Sequence, residues 1–324
     1  MRSSEAYCRS GLGRPVGVLS GSPTELAATE RVRSMPPPSL TISDQGGVRH
    51  LVLCRPEQMN TITADLRNEL DESLDKADSD KKVKVVLLRA EGRAFCAGFG
   101  LDWSTERQAT RDGTRGRVWD SVADIQMISR FGNTFAKLHN ISKPTIAAVQ
   151  GWCVAGGTDL VLNADIVIAS ESAVFGYPPA RVWGVPEAPW VWVARLGLEQ
   201  ARRFLYTGDE ISGRRAADIG MILECTSDDD LLQRASDLAE RMARLPLNQL
   251  QMMKWLLNDV AREQYAPESS RMLGYLFDGV ARHTQEGLDF VDRAEQTGWK
   301  QATAERDAPF GDYGQRARHG VGND

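Results

Sequence analysis

The chain of 324 residues contains no apolar run long enough to cross a bilayer and no apolar segment near its N-terminus of the kind found in signal peptides. It has only five cysteines, and none of them forms a CxxC pair. Widely spaced cysteines in odd number are typical of free thiols in a reducing compartment. These absences predict a cytoplasmic protein that does not associate with membranes.

An excess of positive charge is also missing. The chain has 44 acidic and 39 basic residues, giving a net charge of −5 at pH 7. Nucleic-acid-binding proteins normally carry a basic face, so we expect no nucleic-acid partner. The four histidines are scattered and none is paired at metal-ligand spacing, so we expect no metal site.

Three common active-site motifs do not occur. The sequence has no GxxxxGK[ST] phosphate loop, no GxGxxG opening a helix and no GxSxG nucleophile elbow. Nucleotide-triphosphate hydrolysis by a P-loop, dinucleotide binding by a Rossmann unit and serine hydrolysis on an α/β-hydrolase fold are therefore not indicated.

The hydrophobic pattern alternates short strands with helices and becomes mostly helical after about residue 187, which predicts an α/β fold with a helical C-terminal part. Thr63 is placed to cap a helix, and apolar residues recur at helical spacing from Trp119 to Leu138. The predicted buried strands are residues 48–53, 83–88, 145–149 and 166–169.

The two ends differ in composition from the middle. Residues 1–38 are rich in Ser, Gly, Arg and Pro, which predicts a disordered extension. Residues 302–324 are polar and contain several glycines, which predicts a loosely packed tail.

Two glycine-containing turns follow predicted strands, at residues 93–101 and 151–159. Glycine at such positions lets the backbone approach a ligand closely. At a helix start the N–H groups point outward with partial positive charge, so two such turns side by side could form an oxyanion hole. Either turn alone is more simply explained by tight packing.

Together the two turns resemble the signatures of the crotonase (enoyl-CoA hydratase/isomerase) superfamily. Residues 93–101 read RAFCAGFGL, similar to the family's (R/K)AFCAGADL, and residues 143–160 read KPTIAAVQGWCVAGGTDL, similar to KPVIAAVNGxAxGGGxEL. The resemblance extends from about residue 40 to about residue 300. Shorter matches occur at Ala164-Asp165-Ile166, Phe175-Gly176-Tyr177-Pro178, Tyr206-Thr207-Gly208 and Glu286-Gly287-Leu288.

The resemblance implies a spiral core of repeated ββα turns over residues 39–240 and a helical region over 241–301 that packs into a homotrimer or a dimer of trimers. It implies an acyl-CoA thioester as substrate, with no cofactor beyond the CoA of the substrate itself. The thioester carbonyl would lie between the N–H groups of Phe99 and Gly156, which would stabilise an enolate more than the neutral carbonyl.

Eight further residues are implied to contact the acyl-CoA. Arg55 could meet the CoA phosphates together with Arg93, and Trp103 could shape an acyl pocket with Phe99. The implied binding residues are Arg55, Ala97, Gly98, Leu101, Trp103, Gly157, Pro178 and Pro179. Further aromatic residues are expected near the pocket and are mostly explained by core packing: Trp152, Tyr177, Trp183, Trp190 and Trp192.

The sequence departs from the pattern of hydratases at the two positions where those enzymes resemble each other in using glutamate. Asp159 occupies the first position, with a carboxylate shorter by one methylene. Pro179 occupies the second and has no proton to give. Glu187 lies eight residues further on in an apolar segment, where a carboxyl group would have a raised pKa and could move protons near neutral pH. We therefore predict Asp159 and Glu187 as the catalytic residues.

Several reactions remain open. The position of Glu187 matches an aspartate in the dienoyl-CoA isomerases and in the 4-chlorobenzoyl-CoA dehalogenases, but the latter have a tryptophan at the position of Pro179. The leading hypothesis is an enoyl-CoA hydratase or isomerase. A C–C hydrolase using the same oxyanion hole and a catalytically inactive CoA-thioester binder are the alternatives.

Overall fold

The computed structural model describes residues 38–100 and 119–313. The strands are β1 (Leu40–Gln45), β2 (Val48–Leu53), β3 (Val85–Ala90), β4 (Ala94–Cys96), β5 (Thr145–Val149), β6 (Trp152–Val154), β7 (Ile166–Ser170), β8 (Val174–Gly176), β9 (Ile211–Ser212) and β10 (Glu224–Thr226). The helices are α1 (Ala64–Ser79), α2 (Ser121–Asn140), α3 (Gly156–Leu162), α4 (Pro189–Thr207), α5 (Gly213–Asp218), α6 (Leu231–Ala243), α7 (Leu247–Tyr265), α8 (Pro267–Arg282), α9 (Gln285–Thr297) and α10 (Trp299–Asp307). Short 3-10 helices span Pro56–Gln58, Pro178–Arg181 and Ala308–Phe310.

The strands form two sheets between which the chain alternates. One has the order β1-β2-β3-β5-β7-β10 and is parallel except for the β1–β2 pair. The other has the order β4-β6-β8-β9, and only its β8–β9 pair is antiparallel. Each passage from β3 to β4, β5 to β6 and β7 to β8 carries the chain from the first sheet to the second. This repetition is the predicted spiral of strand–strand–helix turns.

Local sequence signals explain most of these elements. Thr63 caps α1 by accepting a hydrogen bond from the N–H of Leu66 at 3.2 Å, and Leu66, Leu70 and Leu74 are buried. β2 and β5 have the predicted bounds, whereas β3 begins at Val85, two residues later than expected. Strand β1 was not predicted because only Leu40 is buried in it, so it lacks the hydrophobic pattern of a core strand.

The expectation of a loosely packed tail is wrong for residues 302–313. Residues 299–307 form α10, and Asp312 is buried. Asp307 and Asp312 pair with the buried guanidinium of Arg181, which lies 3.8 Å below the ring centre of Phe310. Polar composition misled the prediction because these acidic side chains face a buried cation instead of solvent. Residues 314–324 and 1–37 lie outside the described part of the chain.

None of the helices in the described ranges is both long enough and apolar enough to span a membrane.

Candidate active site

The two glycine turns identified in the sequence touch each other. Gly98 has a φ of +86°, and a Cβ atom there would lie 2.8 Å from the Cβ of Ala155 and 3.4 Å from the nitrogen of Gly156. A Cβ on Gly157 would lie 2.3 Å from the carbonyl oxygen of Cys96. Only glycine permits this approach, which agrees with the interpretation of these residues as tight packing turns. The same close packing brings the two turns together, so it is compatible with their interpretation as a ligand site.

The N–H groups of Phe99 and Gly156 lie on these adjoining turns. Ile62 donates its N–H to the carbonyl of Gly98 at 2.8 Å and accepts the N–H of Gly100 at 3.3 Å, so the N–H of Phe99 between them faces away from Ile62. Gly156 is the first residue of α3, where N–H groups have no partner within the helix. Within residues 38–100 and 119–313 neither N–H donates to a protein acceptor. Such a pair is what an oxyanion site requires.

An aromatic wall lies beside the first of these N–H groups. The ring of Phe99 meets that of Phe131 edge-on, with 5.2 Å between centroids, and lies 6.3 Å from the ring of Phe135. Both partners belong to α2. A Cβ on Gly156 would lie 2.8 Å from the ring of Phe99, so this ring closes over the start of α3.

Asp159 lies one turn further along α3 and is completely buried. Its Oδ1 accepts the indole N–H of Trp192 at 2.8 Å, and its Oδ2 accepts the backbone N–H of Glu187 at 3.0 Å. Burial raises the pKa of Asp159 to about 7, although both hydrogen bonds favour the charged form and oppose that rise. Asp159 therefore joins α3 to the segment that carries Glu187.

Glu187 is the second buried carboxyl group, with 2% of its surface exposed. Neither of its carboxyl oxygens has a hydrogen-bond partner within the described residues. Burial, followed by the nearby carboxyls of Asp159 and Asp278, holds the pKa of Glu187 well above its usual value. Hydrogen bonds from the protein favour the charged form only on Asp159, so ionisation is opposed more strongly at Glu187 than at Asp159.

The backbone around Glu187 is fixed from several sides. The hydroxyl of Tyr177 donates to the carbonyl of Val185 at 2.6 Å. Helix α8 comes so close that a Cβ on Gly274 would lie 2.7 Å from the carbonyl oxygens of both Pro186 and Glu187. The loop is thus rigidly held while the carboxyl group it presents is unpaired.

A buried ion-pair network lies on the α8 side of this loop. Arg282 donates from Nε to Asp278 at 2.9 Å, and from one terminal nitrogen to both carboxylate oxygens of Asp124 at 3.0 and 2.9 Å. Burial raises the pKa of Asp278, and Arg282 opposes that rise. The backbone N–H of Val185 also lowers the pKa of Asp278. The network links α2, α8 and the Glu187 loop.

The remaining residues implied by the resemblance are distributed around this centre. Pro178 is buried, and Pro179 packs against Gly184, where a Cβ would lie 2.9 Å from the Cβ of the proline. Ala97 belongs to the first turn and donates its N–H to the carbonyl of Met59 at 3.1 Å. The guanidinium of Arg55 donates to the hydroxyl of Ser39 at 3.2 Å. Leu101 and Trp103 lie outside the described residues.

Sequence reasoning missed the groups that support the carboxyls. Trp192 was only one of several aromatic residues expected near the pocket, and its bond to Asp159 had no sequence signal. Asp278 and Arg282 were not identified, although an acid and a base four residues apart on a predicted helix face could have suggested a pair. Trp183, also expected nearby, instead stacks on Trp299 at 5.4 Å.

The two cysteines beside the glycine turns do not offer a competing nucleophile. Cys96 and Cys153 flank the two turns but are fully buried, and burial raises the pKa of Cys96 to about 12 and that of Cys153 well above its usual value. Both thiols are therefore poor nucleophiles, as the sequence predicts for small packing residues. Within the described residues, no group of three or more His, Cys, Asp or Glu is arranged to hold a metal ion.

Comparisons with known proteins place these features in a family. The family model described as "Enoyl-CoA hydratase/isomerase" matches residues 43–302. The 1,2-epoxyphenylacetyl-CoA isomerase of Escherichia coli K12 is 31% identical over 216 residues, covering 65% of this chain and 79% of that protein. The mitochondrial Delta(3,5)-Delta(2,4)-dienoyl-CoA isomerase of Dictyostelium discoideum is 30% identical over 227 residues, covering 67% and 74%.

Among solved structures, an enoyl-CoA hydratase from Mycobacterium smegmatis is similar in both fold and sequence. Its TM-score is 0.81 at 42% identity, and the match covers 86% of this chain and 96% of that one.

Proposed function

Because the chain belongs to the enoyl-CoA hydratase/isomerase family, we propose that it isomerises an acyl-CoA thioester by a proton shift that Glu187 carries out. The observation that carries this proposal is the carboxyl group of Glu187, which is buried, held by a rigid loop and without a hydrogen-bond partner among the described residues. A buried polar group without a partner costs stability, so its retention points to a partner supplied by the substrate.

The proposed reaction requires a negative charge on Glu187 at its start. The carboxylate removes a proton from a carbon next to the thioester or conjugated with it, and the electron pair moves to the thioester oxygen as an enolate. The N–H groups of Phe99 and Gly156 stabilise that oxygen. Glu187 then returns the proton to a different carbon, so atoms and charge balance. A raised pKa makes Glu187 a stronger base for a weakly acidic C–H group.

Asp159 has a supporting role in this proposal. Both of its oxygens accept hydrogen bonds from the protein, one of them from the backbone N–H of Glu187. It therefore fixes the position of Glu187, and its nearby carboxyl raises the pKa of that residue. The sequence predicts proton transfer by both Asp159 and Glu187. The proposal assigns proton transfer to Glu187 alone and a positioning role to Asp159.

Hydration is the second candidate, because the chain resembles a hydratase structure at 42% identity. Addition of water needs one group to activate the water and another to protonate the adjacent carbon. Asp159, with a pKa of about 7, could serve as the second group. Isomerisation is better supported, because one unpaired carboxyl suffices for it and Pro179 cannot supply a proton.

A panel of CoA thioesters separates these candidates. Incubation with crotonyl-CoA reports hydration through loss of the conjugated enoyl absorbance and a product heavier by one water. Incubation with 3-enoyl-CoA and 3,5-dienoyl-CoA thioesters reports isomerisation through a change of absorbance at constant mass. We expect the second result. Hydration without isomerisation contradicts the proposal, and CoA-thioester binding without turnover of any member identifies a binder.

We also propose that the protein assembles as a homotrimer or a dimer of trimers. Helices α7 and α8 expose large apolar side chains, as expected of a surface that another copy covers. Light scattering after size-exclusion chromatography tests the mass directly. The exposed residues are Met252, Met253, Trp255, Leu256, Leu257, Val260, Met272, Leu273, Phe277 and Val280.

A further inference from the structure

Helix α8 presents an almost completely polar or small set of buried residues to the loop of Glu187. The buried residues of α8 are Pro267, Gly274, Tyr275, Asp278, Gly279 and Arg282, so Tyr275 is the one large aromatic side chain among them. A helix that served only to cover a core would present large apolar side chains there. The presence of the Asp278–Arg282 ion pair where α8 meets the loop of Glu187 is therefore not explained by packing alone.

Two of these residues hold the loop by direct contact. The carboxyl of Asp278 meets the loop at Gly184, where a Cβ would lie 3.4 Å from Oδ1 of Asp278. The backbone N–H of the next residue, Val185, lowers the pKa of Asp278, and the carbonyl of Val185 accepts the hydroxyl of Tyr177 at 2.6 Å. Gly274 lets the α8 backbone come close to the carbonyl of Glu187. Helix α8 therefore contacts the loop at Gly184 and at the carbonyls of Pro186 and Glu187.

Arg282 orients Asp278 and is oriented in turn by Asp124. Its Nε–H lies 2.9 Å from Asp278, and its terminal nitrogen binds both oxygens of Asp124. The indole N–H of Trp119 also donates to Asp124, at 3.3 Å. Every charged member of this network has a partner, which is the condition for a buried polar network to fix one geometry.

We propose that Asp278 and Arg282 are positioning residues for Glu187, whose ion pair both fixes the loop and sets how readily the buried carboxyl releases its proton. The catalytic part of this inference rests on the proposed function. The two residues act in opposite directions, because a negative neighbour disfavours ionisation of Glu187 and a positive neighbour favours it.

The groups that face Glu187 from each packed element are few. Asp159 faces it from α3 and Tyr177 from the end of β8, while Tyr275, Asp278 and Arg282 face it from α8. Among these, Asp159 and Asp278 raise the pKa of Glu187 and Arg282 lowers it. Asp124 of α2 belongs to the same network but reaches Glu187 only through Arg282.

The test follows the titration of Glu187 in the full-length protein. The infrared C=O stretch of its protonated carboxyl is assigned by its loss in Glu187→Gln and is then followed against pH. Asp278→Asn keeps the size of the side chain and an acceptor oxygen beside the loop but removes a negative charge, so we expect the midpoint to fall by about half a pH unit or more. Arg282→Gln should move it upward.

Asp124→Asn is the matched control. It makes the same isosteric change in the same network, but Asp124 contacts Arg282 and not the loop of Glu187. It should shift the midpoint less than Asp278→Asn does. An unchanged midpoint in folded Asp278→Asn, checked by circular dichroism, overturns the inference even if Arg282→Gln fails to fold. Equal shifts in Asp124→Asn and Asp278→Asn also overturn it, because the effect would then not depend on the contact with the loop.

This readout needs no turnover, so it separates the two proposals. Opposite shifts in a protein that isomerises no acyl-CoA support the positioning network and contradict the proposed function. Isomerase activity with an unmoved midpoint supports the proposed function and contradicts the positioning network. Where turnover is found, the pH profile of kcat/KM should move in the same direction as the infrared midpoint.

Discussion

Arg181 and Glu187 are close in the sequence and are both buried ionisable residues, but their surroundings differ. Arg181 donates to Asp307, Asp312 and the carbonyl of Thr207 and lies under the ring of Phe310. Glu187 has no hydrogen-bond partner for either carboxyl oxygen within the described residues. Protein acceptors therefore satisfy the guanidinium of Arg181, whereas no donor among the described residues satisfies the carboxyl of Glu187.

The difference separates a structural from a functional use of buried charge. A paired charge can hold two segments together, as Arg181 does for the 3-10 helix after β8 and residues 307–312. An unpaired carboxyl contributes nothing to folding and is costly to bury. Changes around Arg181 should therefore affect stability, and changes at Glu187 should affect chemistry.

The largest expected effect is at Glu187. Glu187→Gln keeps the size of the side chain but removes its ability to accept and return a proton, so kcat for isomerisation should fall by about 10²–10⁴-fold. Steady-state assays on the thioester panel measure this, with the exposed Glu199→Gln as control. Retention of activity would mean that another group transfers the proton.

The next effect is on stability. Arg181→Met leaves the buried Asp312 without its cation and Asp307 with Arg306 alone, so the free energy of unfolding should fall by about 3–5 kcal/mol. Denaturant titration measures it. Arg203→Met loses the pairing of Arg203 with Asp209 and a hydrogen bond to the hydroxyl of Thr207, both at a partly exposed site, and should cost less than about 1 kcal/mol. An equal loss of unfolding free energy in Arg181→Met and Arg203→Met would contradict the view that burial makes the ion pairs of Arg181 more important for stability.

A smaller effect is expected at the contact between the two turns. Gly98→Ala adds a Cβ at positive φ and 2.8 Å from Ala155, so the turn must move and the N–H of Phe99 with it. We expect a loss of roughly 10–100-fold in kcat/KM, consistent with a weakened oxyanion donor. Gly46→Ala also has positive φ but meets nothing within 4 Å, so it should leave activity unchanged.

The smallest effect concerns the pH dependence of stability. The pKa of Asp159 is about 7 when folded and higher than the usual value of 3.8, so the folded state binds the proton more tightly than the unfolded state. Its contribution is therefore greatest at low pH and is lost as pH rises towards 7. Asp159→Asn should flatten the fall of the melting temperature between pH 5 and 7. An unchanged slope would show that Asp159 does not titrate there.

Much of the fold was accessible from local signals. The cap at Thr63, the apolar strands at 48–53 and 145–149 and the periodic helix ending near Leu138 are set by interactions within a few residues. The exceptions are instructive: β1 is recognisable only by its antiparallel pairing with β2, and the order of residues 302–313 depends on Arg181, more than 100 residues earlier in the chain.

The candidate site also has a part that could be predicted from the sequence and a part that depends on tertiary packing. Gly98, Gly156, Asp159 and Glu187 were identified from two motifs and an apolar context. Nothing local could reveal that Asp159 accepts the N–H of Glu187, or that the Glu187 carboxyl has no hydrogen-bond partner in residues 38–100 and 119–313, since both depend on how α3 meets a loop 28 residues away.

The family and the spiral of strands and helices could be inferred from the sequence through the resemblance of two motifs, and the glycine turns through the conformational freedom that close backbone approach requires. Which carboxyl has hydrogen-bond partners among the described residues, and that an ion pair of α8 lies near the other carboxyl, became visible only when distant segments were packed together. The reason is physical: pKa values and hydrogen-bond saturation depend on the distances between charges and on their exclusion from water, and both are set when distant segments pack together.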